Sequence, residues 1–302
     1  MTNNSEHPIA VLKIRYPQIM LPIGPGMSKS EIYKSAVKSG KSIPADYIDN
    51  SFSYSEADFL INEKFSCGEI DILYLSERED FEKFIQKTVY KCEPKNIPLS
   101  MGAITINGLN NWDKINHYLT GNHTYLNAIG AWNSNYAKFL SNGKNYKDSI
   151  IVLSNGYYSG LDYKYTKYSR TEWIEKSFLI RKYHELTHFI CQRKYPELKN
   201  PLLDEVTADG MGLIMAVGKY DTRLAKYFLG IEKNIYHRGM RLENYLNKGD
   251  ETEKLAGKVR ELINQLEAIM NELYRNIDKN DFEAWIDTLY PMAADLYSKV
   301  DS

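Results

Sequence analysis

The sequence predicts an α+β fold, with a mixed α/β N-terminal half containing a small sheet and a mainly helical C-terminal half. Two patterns carry that expectation. Short runs rich in β-branched and aromatic residues, several of them closed by glycine-bearing turns, fall in the first half of the chain. Longer segments with apolar residues at helical spacing, opened by capping residues, occupy the second half. The expected division is a mixed lobe over residues 1–168 and a helical lobe over residues 169–302.

Length and composition bound the rest. A chain of 302 residues allows one large domain or two small ones, and a hydrophobic content of 43% is enough for a sizeable core. The formal net charge of −1, with no clustered basic run, argues against nucleic acid or an anionic membrane as partner. No segment is apolar for long enough to span a bilayer, and the N-terminus lacks the pattern of a secretory signal. The three cysteines, Cys67, Cys92 and Cys191, are scattered and odd in number, which reads as reduced thiols in a cytoplasmic protein.

The elements follow in order. Ile9–Tyr16 alternates apolar and charged residues and reads as a half-exposed strand, followed by a Pro/Gly-rich loop over residues 17–26. Ser28–Ser39 reads as a short helix stopped by Gly40. Glu69–Leu75 is a strand candidate, with a charged amphipathic helix over Glu77–Tyr90 after it. Met101–Ile106 and Ser149–Leu153 are further strands, closed by Asn107-Gly108 and Asn155-Gly156. The 24 tyrosines crowd most densely at Tyr157, Tyr158, Tyr163, Tyr165 and Tyr168, read as half-buried rings of a strand-and-loop region, or as a substrate wall.

Ser169 and Glu172 form an S-x-x-E capping box, so a helix is expected from about Arg170 to Lys194, ending before Pro196. Asn200-Pro201 reads as an N-cap with proline at the first helical position, opening a second helix to Val217 with Gly218 at its end. Leu242–Asn247, Glu251–Tyr274 and Asp281–Val300 are also expected to be helical, the charge-laced Glu251–Tyr274 lying on the surface.

The first of these long helices carries His184-Glu185-Leu186-Thr187-His188, an H-E-x-x-H motif. Histidines four apart project from one helix face, a turn apart, and can share one zinc ion through bonds of about 2.0–2.1 Å. Glu185 points about 100° around the helix, where its carboxylate reaches a water on the metal without being a ligand. A catalytic zinc takes three protein ligands and keeps one position open. Glu205, on the next helix, is the candidate third ligand, with Asp204 and Glu197 as rivals. Asp209, four residues beyond Glu205, is placed to accept the second ring N–H of a ligating histidine.

His184-Glu185-Leu186-Thr187-His188 followed by Glu205-x-x-x-Asp209-x-x-Gly212 resembles the thermolysin-type gluzincin metallopeptidases, over about residues 183–212. The resemblance implies a zincin-like fold with a cleft between two lobes of one catalytic unit. It implies zinc held by His184, His188 and Glu205, with Glu185 as base and Asp209 supporting a histidine. The expected activity is hydrolysis of a peptide bond in a peptide or protein substrate by Glu-assisted attack of a zinc-bound water. Tyr236 and His237 are the candidates for a donor to the oxyanion, with Arg238 beside them. A substrate strand is expected to add to the sheet beside Ser149–Leu153. His7, His117 and His123 are expected at the surface, and Cys191 as a buried structural thiol. The other reading of the same residues is a non-catalytic, zinc-stabilised binding protein or a degenerate peptidase-like module.

Overall fold

The computed structural model describes residues 6–121, 132–232, 235–236, 241–246, 251–278 and 280–301. It is a mixed α+β structure that divides into two compact units. One comprises residues 1–63, 70–98 and 104–154, the other residues 64–69, 99–103 and 155–302. No helix among the described residues is long and apolar enough to cross a membrane.

The first unit opens with a helix, α1 (Pro8–Arg15), where a strand was expected over Ile9–Tyr16. Pro8 stands at the first helical position, and His7 Nδ1 accepts the Ile9 N–H at 3.2 Å as an N-cap. The fully buried residues Ile9, Leu12 and Tyr16 sit three and four apart, so the helical period overrides the charge alternation. The helix expected over Ser28–Ser39 is broken. A 3₁₀ turn at Met27–Lys29 precedes a short α2 (Glu31–Tyr33), which widens into a π-turn over Lys34–Lys38.

Four strands, β1 (Phe59–Phe65), β2 (Gly68–Leu75), β3 (Ala103–Asn110) and β4 (Lys147–Ser154), make a sheet in the order β1-β2-β4-β3. β2 and β4 run parallel, with Asp71 opposite Ile150 and Leu75 opposite Ser154. Ile150, Ile151, Val152 and Leu153 are all fully buried, because β4 is an inner strand with α3 (Arg78–Thr88) packed on it. The expected addition of a substrate strand beside Ser149–Leu153 is therefore corrected: both backbone edges of β4 are already paired. Asn107-Gly108 does not close its strand either. Gly108 takes φ +80 without a Cβ penalty and β3 continues to Asn110, while Asn107 Oδ1 accepts a hydrogen bond from Ser149 Oγ at 2.6 Å. α4 (Trp112–Gly121) and α5 (Trp132–Ser141) complete this unit's labelled elements.

The second unit is built on α6 (Arg170–Lys194) and α7 (Pro201–Val217), with the boundaries that capping chemistry predicts. Ser169 Oγ accepts the Glu172 N–H at 3.3 Å and Glu172 accepts the Ser169 N–H at 2.8 Å. Asn200 Oδ1 accepts the N–H groups of Leu202 and Leu203, and Gly218 ends α7 at φ +76. The two helices approach backbone to backbone at Gly212, where a Cβ would stand 2.8 Å from the carbonyl oxygen of Ile180. α8 (Thr222–Phe228), capped by Asp221, leads into a two-residue ribbon, β5 (Ile231–Glu232) against β6 (Ile235–Tyr236). The helix expected over Leu242–Asn247 is instead a 3₁₀ turn at Arg241–Tyr245.

α9 (Thr252–Asn276) is not a surface helix: Ala256, Val259, Ile263, Leu266 and Met270 form a buried stripe among its charged residues, packed on α10, α8 and α7. α10 (Phe282–Asp301) contains Pro291 and buries Tyr290, whose hydroxyl donates to Asp204 on α7.

Candidate metal centre

Side chains from α6 and α7 converge where the two helices run side by side. Among the described residues, His184, His188 and Glu205 are the one group of metal-ligating side chains whose donor atoms all lie within 4.8 Å of one another. His184 Nε2 is 3.0 Å from His188 Nε2. Glu205 Oε1 lies 3.3 Å from His188 Nε2, and Oε2 lies 3.7 Å from His184 Nε2. Tetrahedral ligation with bonds of about 2.0–2.1 Å needs donor atoms separated by about 3.3–3.4 Å. Two imidazoles and one carboxylate at these separations are close enough to share one metal ion.

The tautomer agrees with that fit. His184 Nδ1 lies 2.9 Å from Asp209 Oδ1, and an ionised carboxylate can only accept, so Nδ1 carries the proton. Nε2 of a neutral His184 is then a lone pair facing His188 and Glu205. Asp209 sits one turn past Glu205 on the same face of α7, as the E-x-x-x-D spacing predicts.

Three further residues reach the cluster. Tyr158, on a 3₁₀ turn at Tyr158–Gly160, donates its hydroxyl to Asp209 Oδ1 at 2.6 Å and lies 2.9 Å from His184 Nδ1. Its backbone N–H donates to the buried Ser177 Oγ at 3.0 Å, and its ring meets Phe228 edge-on at 4.6 Å between centroids. Arg241 donates through Nη2 to Glu205 Oε2 and, at 3.1 Å, to Asp209 Oδ1; its Nη1 reaches Asp209 Oδ2 at 3.2 Å and the Tyr158 hydroxyl at 3.3 Å. Tyr245, at the other end of the same turn, lies close enough to Glu205 and Arg241 for their charges to act on its phenol.

The electrostatics follow from burial working against close partners. Burial alone would raise the Glu205 and Asp209 carboxyls. Arg241 outweighs it, helped by His188 and His184 at Glu205 and by His184 at Asp209, and both carboxyls are held below the usual range. Burial would lower the imidazolium of His188, but the hydrogen bond and charge of Glu205 raise it. Burial pushes the Tyr158 and Tyr245 phenols well up, so both are hydroxyl donors at neutral pH.

Glu185 lies between the two histidines on α6, part-buried. The rivals for third ligand stand elsewhere. Asp204 accepts from Tyr290, and Glu197 is exposed in the turn Pro196–Leu198. Tyr236 ends β6, but its side chain lies outside the described residues, as do His237 and Arg238. His7 is a part-buried N-cap, His117 is exposed, and His123 lies outside the described residues. Cys191 is buried, with its thiol pushed up by desolvation, and all three cysteines are unpaired thiols. Arg241 and Tyr245 carried no sequence signal, being 36 and 40 positions from Glu205. Tyr158 was one of several tyrosines in its stretch, and only folding separates it from Tyr165, which is 58% exposed.

The fold and site together define an α+β protein with a His-His-Glu cluster between two closely packed helices. The chain belongs to the DUF7005 family, a family of unknown function whose model matches residues 1–293. No curated protein and no solved structure matches it.

Proposed function

We propose that this protein is a zinc-dependent hydrolase, a gluzincin-like metallopeptidase that cleaves a peptide bond in a peptide or protein substrate. One observation carries the reading: the donor atoms of His184, His188 and Glu205 converge at ligand spacing, with Asp209 on the far nitrogen of His184, in H-E-x-x-H…E-x-x-x-D order. Zinc held there would supply Lewis acidity, lowering the pKa of a water to about 7 and polarising a carbonyl.

The chain's own residues would do the rest. Glu185, beside the ligands and not among them, takes the proton of the attacking water and delivers it to the leaving amine. Asp209 and Tyr158 hold His184 in the tautomer that presents Nε2. Tyr236 and His237 remain the candidates for the donor to the developing oxyanion. Three unpaired thiols suit a reducing compartment, and we place the protein in the cytoplasm.

The experiment has two readings. The chain, prepared without chelators, should hold one zinc and cleave members of a broad peptide library. Glu185→Gln should keep the zinc and lose the cleavage. A chain that retains no zinc removes the proposal. A chain that holds zinc but cleaves nothing is the zinc-stabilised binding protein instead.

A further inference from the structure

The turn Arg241–Tyr245 delivers the Arg241 guanidinium to one carboxylate, and that carboxylate is the proposed third ligand. A carboxylate has two oxygens, and both of Glu205's lie near the imidazole pair, Oε1 at 3.3 Å from His188 Nε2 and Oε2 at 3.7 Å from His184 Nε2. A carboxylate binds a cation through one oxygen or both, and an unrestrained glutamate so placed can use both and fill the position that catalysis needs open. Arg241 Nη2 takes Oε2.

The guanidinium is not free to follow the carboxylate. It is forked onto Asp209, at 3.1 Å and 3.2 Å, and reaches the Tyr158 hydroxyl at 3.3 Å. Between Arg241 and Tyr245, the fully buried Leu242 anchors the turn in the core.

We propose that Arg241 is a clamp that holds Glu205 as a one-oxygen ligand, occupying Oε2 and leaving Oε1 to the histidine pair. The clamp rests on the zinc reading and deepens it: Arg241 is a positioning residue, acting on coordination number through Glu205. An arginine that merely balanced two buried carboxylates would serve equally as a lysine. A clamp would not tolerate that change, because an ammonium is a point charge without a planar fork fixed at two carboxylates.

The test is cobalt substitution of the full chain, read by the visible d–d absorption, whose intensity falls when a four-coordinate centre becomes five-coordinate. The parent should bind one cobalt with intense four-coordinate bands. Arg241→Lys should bind cobalt with bands several-fold weaker, and Arg241→Gln should weaken them at least as much. A parent spectrum retained in Arg241→Lys overturns the clamp while leaving the metal reading intact. Should Arg241→Lys fail to fold, a parent spectrum in Arg241→Gln does the same. A parent that takes up no cobalt and no zinc removes the metal reading and the clamp with it.

Discussion

Asp209 Oδ1 accepts from His184 Nδ1 at 2.9 Å and, at the same oxygen, from the Tyr158 hydroxyl at 2.6 Å. This contact sets which nitrogen of His184 faces the cluster, so its loss should be read in the metal. Replacing the partner of a ligating histidine costs about 10–100-fold in metal affinity. Asp209→Asn should fall in that range by competition with a chelating dye, and Tyr158→Phe should cost less, since Asp209 remains. An affinity unchanged in Asp209→Asn would show that the hydrogen bond does not serve the metal.

Gly212 tests how closely α6 and α7 must approach. A Cβ there would stand 2.8 Å from the Ile180 carbonyl oxygen and 3.0 Å from its Cγ2, and backbone cannot swing aside as a side chain can. Overpacking of this kind costs about 1–3 kcal/mol. Gly212→Ala should show that loss in urea unfolding, together with weaker zinc retention, because the same separation sets the distance from the histidines to Glu205. A stable variant with parental zinc affinity would mean that the helices have slack.

Acid should unfold the metal-free chain through the cluster. Burial disfavours the charged forms of Glu205 and Asp209, but Arg241 and the histidines outweigh it and depress both folded-state pKa values. A depressed carboxyl contributes stability that is present above its unfolded value of about 4 and is lost as pH falls through the folded one. Unfolding free energy should therefore decline from about pH 4 downward. Glu205→Gln should flatten that decline, and equal acid slopes in the two chains would assign the titration to other groups.

Asp204 neighbours Glu205, the proposed third ligand, in sequence and serves a different purpose. It is buried and accepts from the Tyr290 hydroxyl, tying α7 to α10. Tyr290→Phe leaves a buried acceptor without that donor, a change that costs about 1–3 kcal/mol. Calorimetry should record the loss, while zinc stoichiometry stays at the parental value. Loss of zinc in this variant would reopen Asp204 as a ligand.

Helix α6 and its successor α7 were legible because their signals are local. Ser169 with Glu172, Asn200 with Pro201, and Gly218 each satisfy or terminate a helix within four residues, so α6 and α7 appear where capping chemistry puts them. The spacing of His184, Glu185 and His188, and of Glu205 and Asp209, is likewise one turn of one helix. Elsewhere a local pattern yields to a longer-range demand. Ile9–Tyr16 alternates in charge, but its buried residues obey a helical period set by the core. Asn107-Gly108 has the composition of a turn, yet sits inside a strand. Glu251–Tyr274 is rich in charge, and its narrow apolar stripe disappears into contacts with three other helices.

Which residues can contribute two imidazoles and a carboxylate was therefore written in the linear order of the chain, since helical periodicity acts over a handful of positions. That Tyr158, Arg241 and Tyr245 join them was visible only once the chain had folded. Their contacts span 26 to 83 positions, a separation bridged by packing alone, and no local propensity encodes which distant arginine will neutralise two carboxylates.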